Sequence, residues 1–296
     1  MPQGSPIVCV AGPTASGKTK LGVLLAQHYG GEIVSADSMQ IYRGMVIGTA
    51  APTPEEMEGI PHHMIGIADP REAWSAGRYA RAAIPVVEDI LSRGKLPIVV
   101  GGTGLWMEAL ERELQEGGME PLLAELRRVD PASAEKLHPS DEKRILRALE
   151  VYRETGKPLS QWNAEEAARP PRYDAVTIAL RWRDRERQRA LIDQRVDEMV
   201  AQGLLEEVRT LLASVPRDAT ALQAIGYKEF LGVLDGTCTE AEAIGMVKLR
   251  SRQYAKRQLT WLRHVPDVHW IEWENQRDFA AALRISTEIC TAHGLG

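Results

Sequence analysis

A phosphate-binding pattern stands near the start of the chain. Residues 12–19 read Gly-Pro-Thr-Ala-Ser-Gly-Lys-Thr, which fits G-x-x-x-x-G-K-[ST] without a mismatch. In such a loop, backbone N–H groups and a helix N-terminus face phosphate oxygens, a lysine adds charge, and a hydroxyl is placed to ligate Mg²⁺. A glycine-rich turn without a ligand is the alternative, and the full pattern favours phosphate binding. The predicted phosphate site comprises Gly12, Pro13, Thr14, Ala15, Ser16, Gly17, Lys18 and Thr19, with Thr19 as the metal ligand.

Two further polar residues follow predicted strands. Asp37 comes after the apolar run 32–36, and Thr103 lies in Gly-Gly-Thr-Gly at 101–104, after the run 96–100. A carboxylate beside a phosphate site holds Mg²⁺ through water or acts as a general base, although aspartate also caps helices readily. The glycines around Thr103 allow close approach of a ligand, and a tight turn is the alternative. Position favours a functional role for Asp37 without choosing between the two roles.

A third signal is a run of basic residues without acidic neighbours. No Asp or Glu occurs between positions 245 and 264, whereas the whole chain has a net charge of −5. Because a solvated helix face usually carries both signs of charge, this run predicts a site for anions such as RNA phosphates. A second basic group, Lys143, Arg144 and Arg147, has acidic neighbours and is a weaker signal. The cations of the first run are Lys248, Arg250, Arg252, Lys256, Arg257 and Arg263, with Tyr254 and Trp261 between them.

Strand and helix patterns alternate through the first third of the chain. Apolar runs predict strands at 7–11, 32–36 and 96–100, and apolar residues at helical spacing predict a helix over 79–93. This alternation predicts an α/β fold, a P-loop NTPase-like parallel sheet with helices on both faces. Ligands of such sheets bind at the carboxyl ends of the strands, so one crevice is expected to hold the phosphate loop, Asp37 and Thr103.

The middle of the chain differs in composition from the parts on either side. Residues 111–161 are charged and helical, which predicts a small helical insertion into a core domain formed by 1–110 and 162–296. Residues 163–171 have the composition of a mobile connection. The second half of the core is then predicted to hold a strand at 175–180, a helix capped by Asp184, a helix from 204, and a last large helix over 239–264.

Composition narrows the class of protein. The chain has 296 residues with 44% hydrophobic side chains, enough for one large domain or one domain with an insertion. Its three cysteines lie far apart and predict neither a disulfide framework nor a zinc cluster, and the pair at 62–63, His-His, is assigned to a loop. Neither a signal peptide nor a stretch of membrane-spanning length is present, so a cytoplasmic protein without a membrane partner is expected.

Taken together, the motifs resemble the bacterial tRNA dimethylallyltransferases, also called tRNA isopentenyltransferases. Besides the phosphate loop, the matching stretches include Ser-Ala-Asp-Ser-Met-Gln-Ile-Tyr at 35–42 and Gly-Ile-Pro-His-His at 59–63. They continue in order with Gly-Gly-Thr-Gly-Leu at 101–105, Arg-Ala-Leu-Glu-Val-Tyr at 147–152, Ala-Ile-Gly-Tyr-Lys-Glu at 224–229 and Tyr-Ala-Lys-Arg-Gln-Leu-Thr-Trp at 254–261.

The resemblance implies an enzyme that moves a dimethylallyl group from its diphosphate to the exocyclic amine of an adenosine. That adenosine lies just 3′ of the anticodon in tRNAs that read codons starting with U. By resemblance, the phosphate loop holds the donor with Lys18 and Mg²⁺, Asp37 is the general base, and Thr103 contacts the reacting groups. A monomer is a separate expectation, because the sequence itself does not give the oligomeric state. The implied contacts to the tRNA anticodon arm are Asp37, Ser38, Met39, Gln40, Thr103, Lys143, Arg144, Ile145, Leu146, Arg147, Arg252, Gln253, Tyr254, Ala255, Lys256 and Arg257.

Two departures from the family pattern stand near the insertion. Trp106 replaces the usual Tyr, and its indole N–H donates but cannot accept a hydrogen bond. The segment between positions 110 and 130 is shorter than in the family, which removes surface that would contact tRNA.

Three other functions fit parts of the pattern. A small-molecule kinase that uses ATP would explain the phosphate loop and Asp37 but not the basic run. An isopentenyltransferase acting on free adenine nucleotides would likewise leave the basic run without a polymer to bind. A non-catalytic RNA-binding module conflicts with the intact Lys18, Thr19 and Asp37.

Overall fold

The fold is built around one parallel sheet. The computed structural model describes residues 5–74, 76–102, 119–137, 142–168 and 173–295. Within them, six strands pair in the order β3-β2-β4-β1-β5-β6, and every pairing is parallel. The strands are β1 Ser5–Ala11, β2 Glu32–Ala36, β3 His62–His63, β4 Pro97–Gly101, β5 Tyr173–Trp182 and β6 Val268–Trp273.

Helices connect these strands, as parallel pairing requires. Several begin at residues typical of helix N-termini, such as Asp184, whose side chain accepts the N–H of Glu186, and Thr239, which forms a capping box with Glu242. The helices are α1 Lys18–Tyr29, α2 Pro54–Met57, α3 Ala76–Ser92, α4 Met119–Val129, α5 Pro131–Glu135, α6 Glu142–Thr155, α7 Leu159–Ala168, α8 Arg185–Ala201, α9 Leu204–Leu212, α10 Lys228–Leu234, α11 Glu240–Leu262 and α12 Phe279–Ala292.

Both faces of the sheet are covered. Alternate side chains of a strand point to opposite faces, and in β1 Val8 and Val10 pack with α1 and α12, whereas Ile7 packs on the other side. That second side is covered by apolar residues of α3, α9, α10 and α11. The predicted α/β class, a P-loop NTPase-like parallel sheet with helices on both faces, is therefore confirmed.

The register of the sheet brings three strand ends together. Ala11 at the end of β1 and Ala36 at the end of β2 both pair with Gly101 at the end of β4, which lies between them. The next residues along the chain are Gly12, Asp37 and Gly102. The phosphate loop and Asp37 therefore start from the same edge of the sheet, two strands apart.

The chain divides into two compact units, residues 5–105 with 173–296 and residues 1–4 with 106–172. The second unit contains the predicted insertion 111–161, whose boundaries stay a prediction. Its apolar residues form a core of their own, with Leu123 and Leu126 of α4 packed on Ile145 and Leu149 of α6. In this unit Asp130 is fully buried, and its two carboxylate oxygens accept the backbone N–H groups of Ser133 and Ser160.

Three sequence-based assignments are wrong. Residues 163–168 belong to helix α7 rather than to a mobile connection. The helix predicted over 239–264 is present as α11, but it is not the last large helix, because α12 follows it and closes the sheet beside α1. The pair His62-His63 forms the short strand β3 rather than a loop, because its backbone pairs with Ile33 and Val34 of β2.

Candidate active site

The phosphate loop is held in shape from outside. Ala15 and Gly17 have the left-handed φ values of 63° and 93° that let the loop turn tightly into α1. The indole N–H of Trp273 donates to the carbonyl of Ser16 at 2.7 Å, and the guanidinium of Arg277 donates to that of Ala15 at 2.6 Å. Because the C=O and N–H of a peptide point in opposite directions, the first bond turns the N–H of Gly17 to the other side.

Helix α1 starts inside this loop. Gly17 precedes its first residue, Lys18, and provides no side-chain cap. The first N–H groups of a helix have no partner within the helix, and they carry partial positive charge. Thr19, half-buried in this first turn, adds a hydroxyl oxygen. The start of α1 thus offers donors for an anion and one hard oxygen for a cation.

Lys18 lies among charged neighbours. Burial and the nearby positive charge of Arg195 lower the pKa of Lys18 to about 8, and the negative charge of Asp37 partly opposes this shift. The pKa of Arg195 is also lowered by burial, and Asp37 opposes that shift as well. Two cations and one carboxylate therefore share one electrostatic environment beside the loop. An anion bound between the cations would relieve their repulsion.

Asp37 uses one of its two carboxylate oxygens to cap a turn. Its Oδ1 accepts the backbone N–H of Met39 at 2.9 Å and of Gln40 at 3.4 Å, which caps the turn that follows β2. Within the described residues, its Oδ2 accepts no hydrogen bond. Tyr79 supports the same strand end by donating its hydroxyl to the carbonyl of Ser35. The carboxylate is thus oriented through Oδ1.

The segment after Asp37 is tied to the protein on two sides. The carboxamide of Gln40 accepts the hydroxyl of Ser35 at 3.0 Å and donates to the carbonyls of Thr49 and Ala50 at 3.3 and 3.2 Å. From the other side, Glu207 accepts the N–H groups of residues 46, 47 and 48 at 2.8–3.0 Å and the hydroxyl of Tyr227 at 2.6 Å. The side chain of Gln40 therefore already serves an internal role.

Helix α11 presents fewer available cations than its sequence indicates. The acid-free run 245–264 receives carboxylates from neighbouring helices, since Lys248 pairs with Asp197, Arg250 with Glu229, and Arg252 with Asp193. Lys256, Arg257 and Arg263 are exposed on the same helix, and Trp261 is 41% exposed. The exposed positive charge is thus concentrated in the C-terminal half of the helix.

Several residues predicted to contact tRNA are buried. Ile145 and Leu146 of α6 lie in the interior, and Ala255 of α11 packs against Ala15 of the phosphate loop. The structure therefore does not bring these three side chains to the surface. Thr103 and Trp106 lie outside the described residues, and so do the side chains of Lys143, Arg144 and Arg147 on α6.

Three residues of this site have no signal in the sequence, and a fourth, Tyr227, lies in the matching stretch 224–229 without a role predicted for it. Arg277 reaches the phosphate loop from the turn before α12, and Arg195 on α8 acts on Lys18 through its charge. Glu207 and Tyr227 reach residues 46–48 from α9 and the start of α10. Each is an ordinary residue of a helical or polar stretch, and only the tertiary fold brings it to the site. Within the described residues, no cluster of three or more His, Cys, Asp or Glu side chains forms a metal site.

Known proteins share both the sequence and the fold of this chain. The family model for IPP transferase matches residues 40–265, and the model for isopentenyl transferase matches residues 6–66. A tRNA dimethylallyltransferase of Geobacillus thermodenitrificans is 46% identical over 94% of this chain and 93% of its own length. Another, of Pelotomaculum thermopropionicum, is 43% identical over 97% and 96%.

Solved structures agree with these relatives. A tRNA delta(2)-isopentenylpyrophosphate transferase of Staphylococcus epidermidis has a TM-score of 0.72 and 39% identity, over 97% of this chain and 99% of its own. A eukaryotic dimethylallyltransferase acting on tRNA has a TM-score of 0.82 and 30% identity, over 97% of this chain and 80% of its own. On this similarity along nearly its whole length, the chain belongs to the tRNA dimethylallyltransferase family.

Proposed function

We propose that this enzyme transfers the dimethylallyl group of dimethylallyl diphosphate to the exocyclic amine of the adenosine 3′-adjacent to the anticodon, in tRNAs that read codons starting with U. The observation that supports this most directly is the shared strand edge. The phosphate loop follows β1 and Asp37 follows β2, on either side of β4, and Lys18 and Asp37 interact electrostatically. A diphosphate and a nucleophilic amine bound at this edge would meet between these two groups.

The donor's diphosphate is assigned to the phosphate loop. Lys18, Arg195 and the first N–H groups of α1 supply positive charge and donors there. The departing diphosphate gains charge in the transition state, so preorganised donors stabilise the transition state more than the bound donor. This assignment gives Arg195 a direct part in the reaction.

The loop also fits a magnesium ion. Mg²⁺ in phosphate sites takes only one or two protein oxygens and completes its shell with phosphate oxygens and water. Thr19 in the first turn of α1 supplies such a hydroxyl oxygen. When bound, the ion would neutralise charge on the diphosphate.

Asp37 is proposed as the general base. The C–O bond between the dimethylallyl group and the diphosphate breaks, a C–N bond to the amine forms, and a proton of the amine passes to the carboxylate. The adenine amine is a weak nucleophile because its lone pair is delocalised into the ring. A positioned base contributes roughly 10²–10⁴-fold to such a step. The Oδ2 atom, which accepts no hydrogen bond from the described residues, is the atom assigned to this proton.

The tRNA is assigned to the exposed cations of α11 and to the turn after β2. Exposed Lys256 and Arg257 suit the phosphate backbone, and the Oγ of Ser38 beside Asp37 is buried without a hydrogen-bond partner among the described residues. The target base must leave its stack to reach Asp37. The insertion 111–161 is proposed to hold the anticodon arm, and the enzyme is proposed to act as a cytoplasmic monomer.

Incubation with unmodified tRNA and dimethylallyl diphosphate, followed by mass analysis of the nucleosides, tests this proposal. The expected product is an adenosine heavier by one dimethylallyl group at the position 3′ of the anticodon. Parallel incubations replace the tRNA with free adenine nucleotides, or the donor with ATP and small-molecule acceptors. Product in either parallel incubation, with none on tRNA, would contradict the proposal.

Within the described residues, no helix combines the length and the apolarity needed to span a bilayer.

A further inference from the structure

Helix α11 has a buried side that faces the phosphate loop. Ala255 packs there against Ala15 of the loop and Ile192 of α8. One turn further along the helix, the polar side chain of Gln258 is also buried, with only 3% of its surface exposed. A buried carboxamide must find partners, since an unpaired polar group in the interior is costly.

Gln258 lies between two of the strand ends that form the site. Its Oε1 accepts the backbone N–H of Thr14 in the phosphate loop at 3.1 Å. That bond fixes the orientation of the amide, so its nitrogen points the other way, towards Gly102 after β4. The same side chain thus contacts the loop that follows β1 and the residue that follows β4.

Gly102 leaves the space that this amide fills. A Cβ atom built on Gly102 would lie 2.0 Å from Nε2 of Gln258 and 3.7 Å from the carbonyl oxygen of Gly12. The first distance is far below any real contact, so a side chain at position 102 and the amide of Gln258 exclude each other. Because Gln258 is buried, its amide has little room to move away.

We propose that Gln258 is a positioning residue for the diphosphate site, which holds the phosphate loop through Thr14 and sets its spacing from the end of β4 at Gly102. This inference rests on the proposed function, because it takes the loop to bind the donor's diphosphate. Gln258 touches neither substrate and acts through the backbone of the loop. The position of the Gln258 amide also explains why residue 102 is a glycine, since a side chain there would overlap the amide. The backbone of Gly102 is not in the left-handed conformation that would itself require glycine.

A double-mutant cycle tests the inference, with inorganic pyrophosphate as the probe and calorimetry as the measurement. Gln258→Ala removes the acceptor of the Thr14 N–H, and Gly102→Ala displaces it. We expect each variant to bind pyrophosphate about tenfold more weakly than the wild type, since a buried donor loses its partner. The double variant should bind no more weakly than Gln258→Ala alone, because the truncated side chain makes room for the new methyl group.

Val215→Ala, a truncation in the apolar core on the other face of the sheet, serves as a matched control for loss of stability. It should lower the unfolding midpoint without changing the affinity for pyrophosphate. Two results would overturn the inference: losses that multiply in the double variant, or a Gln258→Ala variant that binds as tightly as Val215→Ala. A wild-type enzyme that does not bind pyrophosphate would instead remove the proposed diphosphate site, and the inference with it.

Discussion

The phosphate loop at residues 12–19 and helix α11 differ in how far their own residues determine their chemistry. The loop carries its glycines, lysine and hydroxyl within eight residues, and its position between β1 and α1 follows from the flanking apolar runs. Helix α11 carries a run of cations, and carboxylates of other helices decide which of these cations can bind an anion. Three of those cations pair with carboxylates of α8 and α10, and the exposed ones lie towards its C-terminal end. A backbone motif is therefore informative by itself, whereas a charge pattern needs the fold before it can be interpreted.

Replacement of Lys18 tests the loop side of this comparison and should have the largest effect. Lys18→Met keeps most of the length of the side chain and removes its charge from the departing diphosphate. We expect the single-turnover rate of prenyl transfer to fall roughly 10²–10³-fold, as for the loss of one preorganised donor. Lys20→Met, which changes an exposed lysine paired with Glu58, is the control. A Lys18→Met enzyme within tenfold of the wild type would show that the loop lysine is not needed.

Removal of exposed cations tests the helix side. Lys256→Ala combined with Arg257→Ala should weaken tRNA binding about tenfold or more at physiological salt. The slope of log affinity against log salt should also become shallower, by about 1.4–1.8 for two lost phosphate contacts. Filter binding over a salt series measures both quantities. An unchanged slope would mean that these two cations do not contact the tRNA backbone.

The pH dependence of donor binding sharpens the account of the loop. Because the pKa of Lys18 is about 8, the lysine is charged below pH 8 and loses its proton above it. A diphosphate binds the charged form, so its affinity should be nearly constant up to about pH 7, be reduced about twofold at pH 8 and then fall, approaching tenfold per pH unit. Calorimetry with dimethylallyl diphosphate measures this curve. Lys18→Arg should remove the break because arginine stays charged, and a flat wild-type curve up to pH 9 would contradict the assignment.

Replacement of Arg250 should have the smallest effect on the affinity for tRNA. Its guanidinium lies 2.5 Å from the carboxylate of Glu229, which is 2% exposed and also accepts the N–H of Gly226. Arg250→Ala should lower the free energy of unfolding by about 1–2 kcal/mol, since a buried carboxylate loses a partner that is itself partly exposed. Affinity for tRNA should stay within twofold. A large loss of affinity without a loss of stability would mean that the ion pair is not what occupies this cation.

The strands and several helices could be predicted because their signals are local. The run 32–36 is β2, and Gly203 and Asp184 precede helices as expected. The parallel sheet followed from the alternation of elements, and the neighbouring positions of the phosphate loop and Asp37 followed from the rule for strand ends. Helix α12 was missed, although its apolar residues pack beside α1.

The roles of the supporting residues could not be predicted, even for Gln258 in the matching stretch 254–261, and the reason is physical. Arg195, Glu207 and Gln258 act on backbone groups or charges that are distant in sequence. No pattern within a helix distinguishes a side chain that faces such a group from one that faces solvent. The same limit applies to Gln40, whose carboxamide bonds to residues 49 and 50 rather than being left for a ligand.

The central claim is that Asp37 takes the proton of the acceptor amine at the edge where the diphosphate binds. Asp37→Asn tests it most directly, because the amide oxygen can still accept the N–H of Met39 but cannot act as the base. We predict that the single-turnover rate of prenyl transfer falls roughly 10²–10⁴-fold while the affinities for tRNA and dimethylallyl diphosphate stay within about threefold. A variant that transfers the group within tenfold of the wild-type rate would contradict the account.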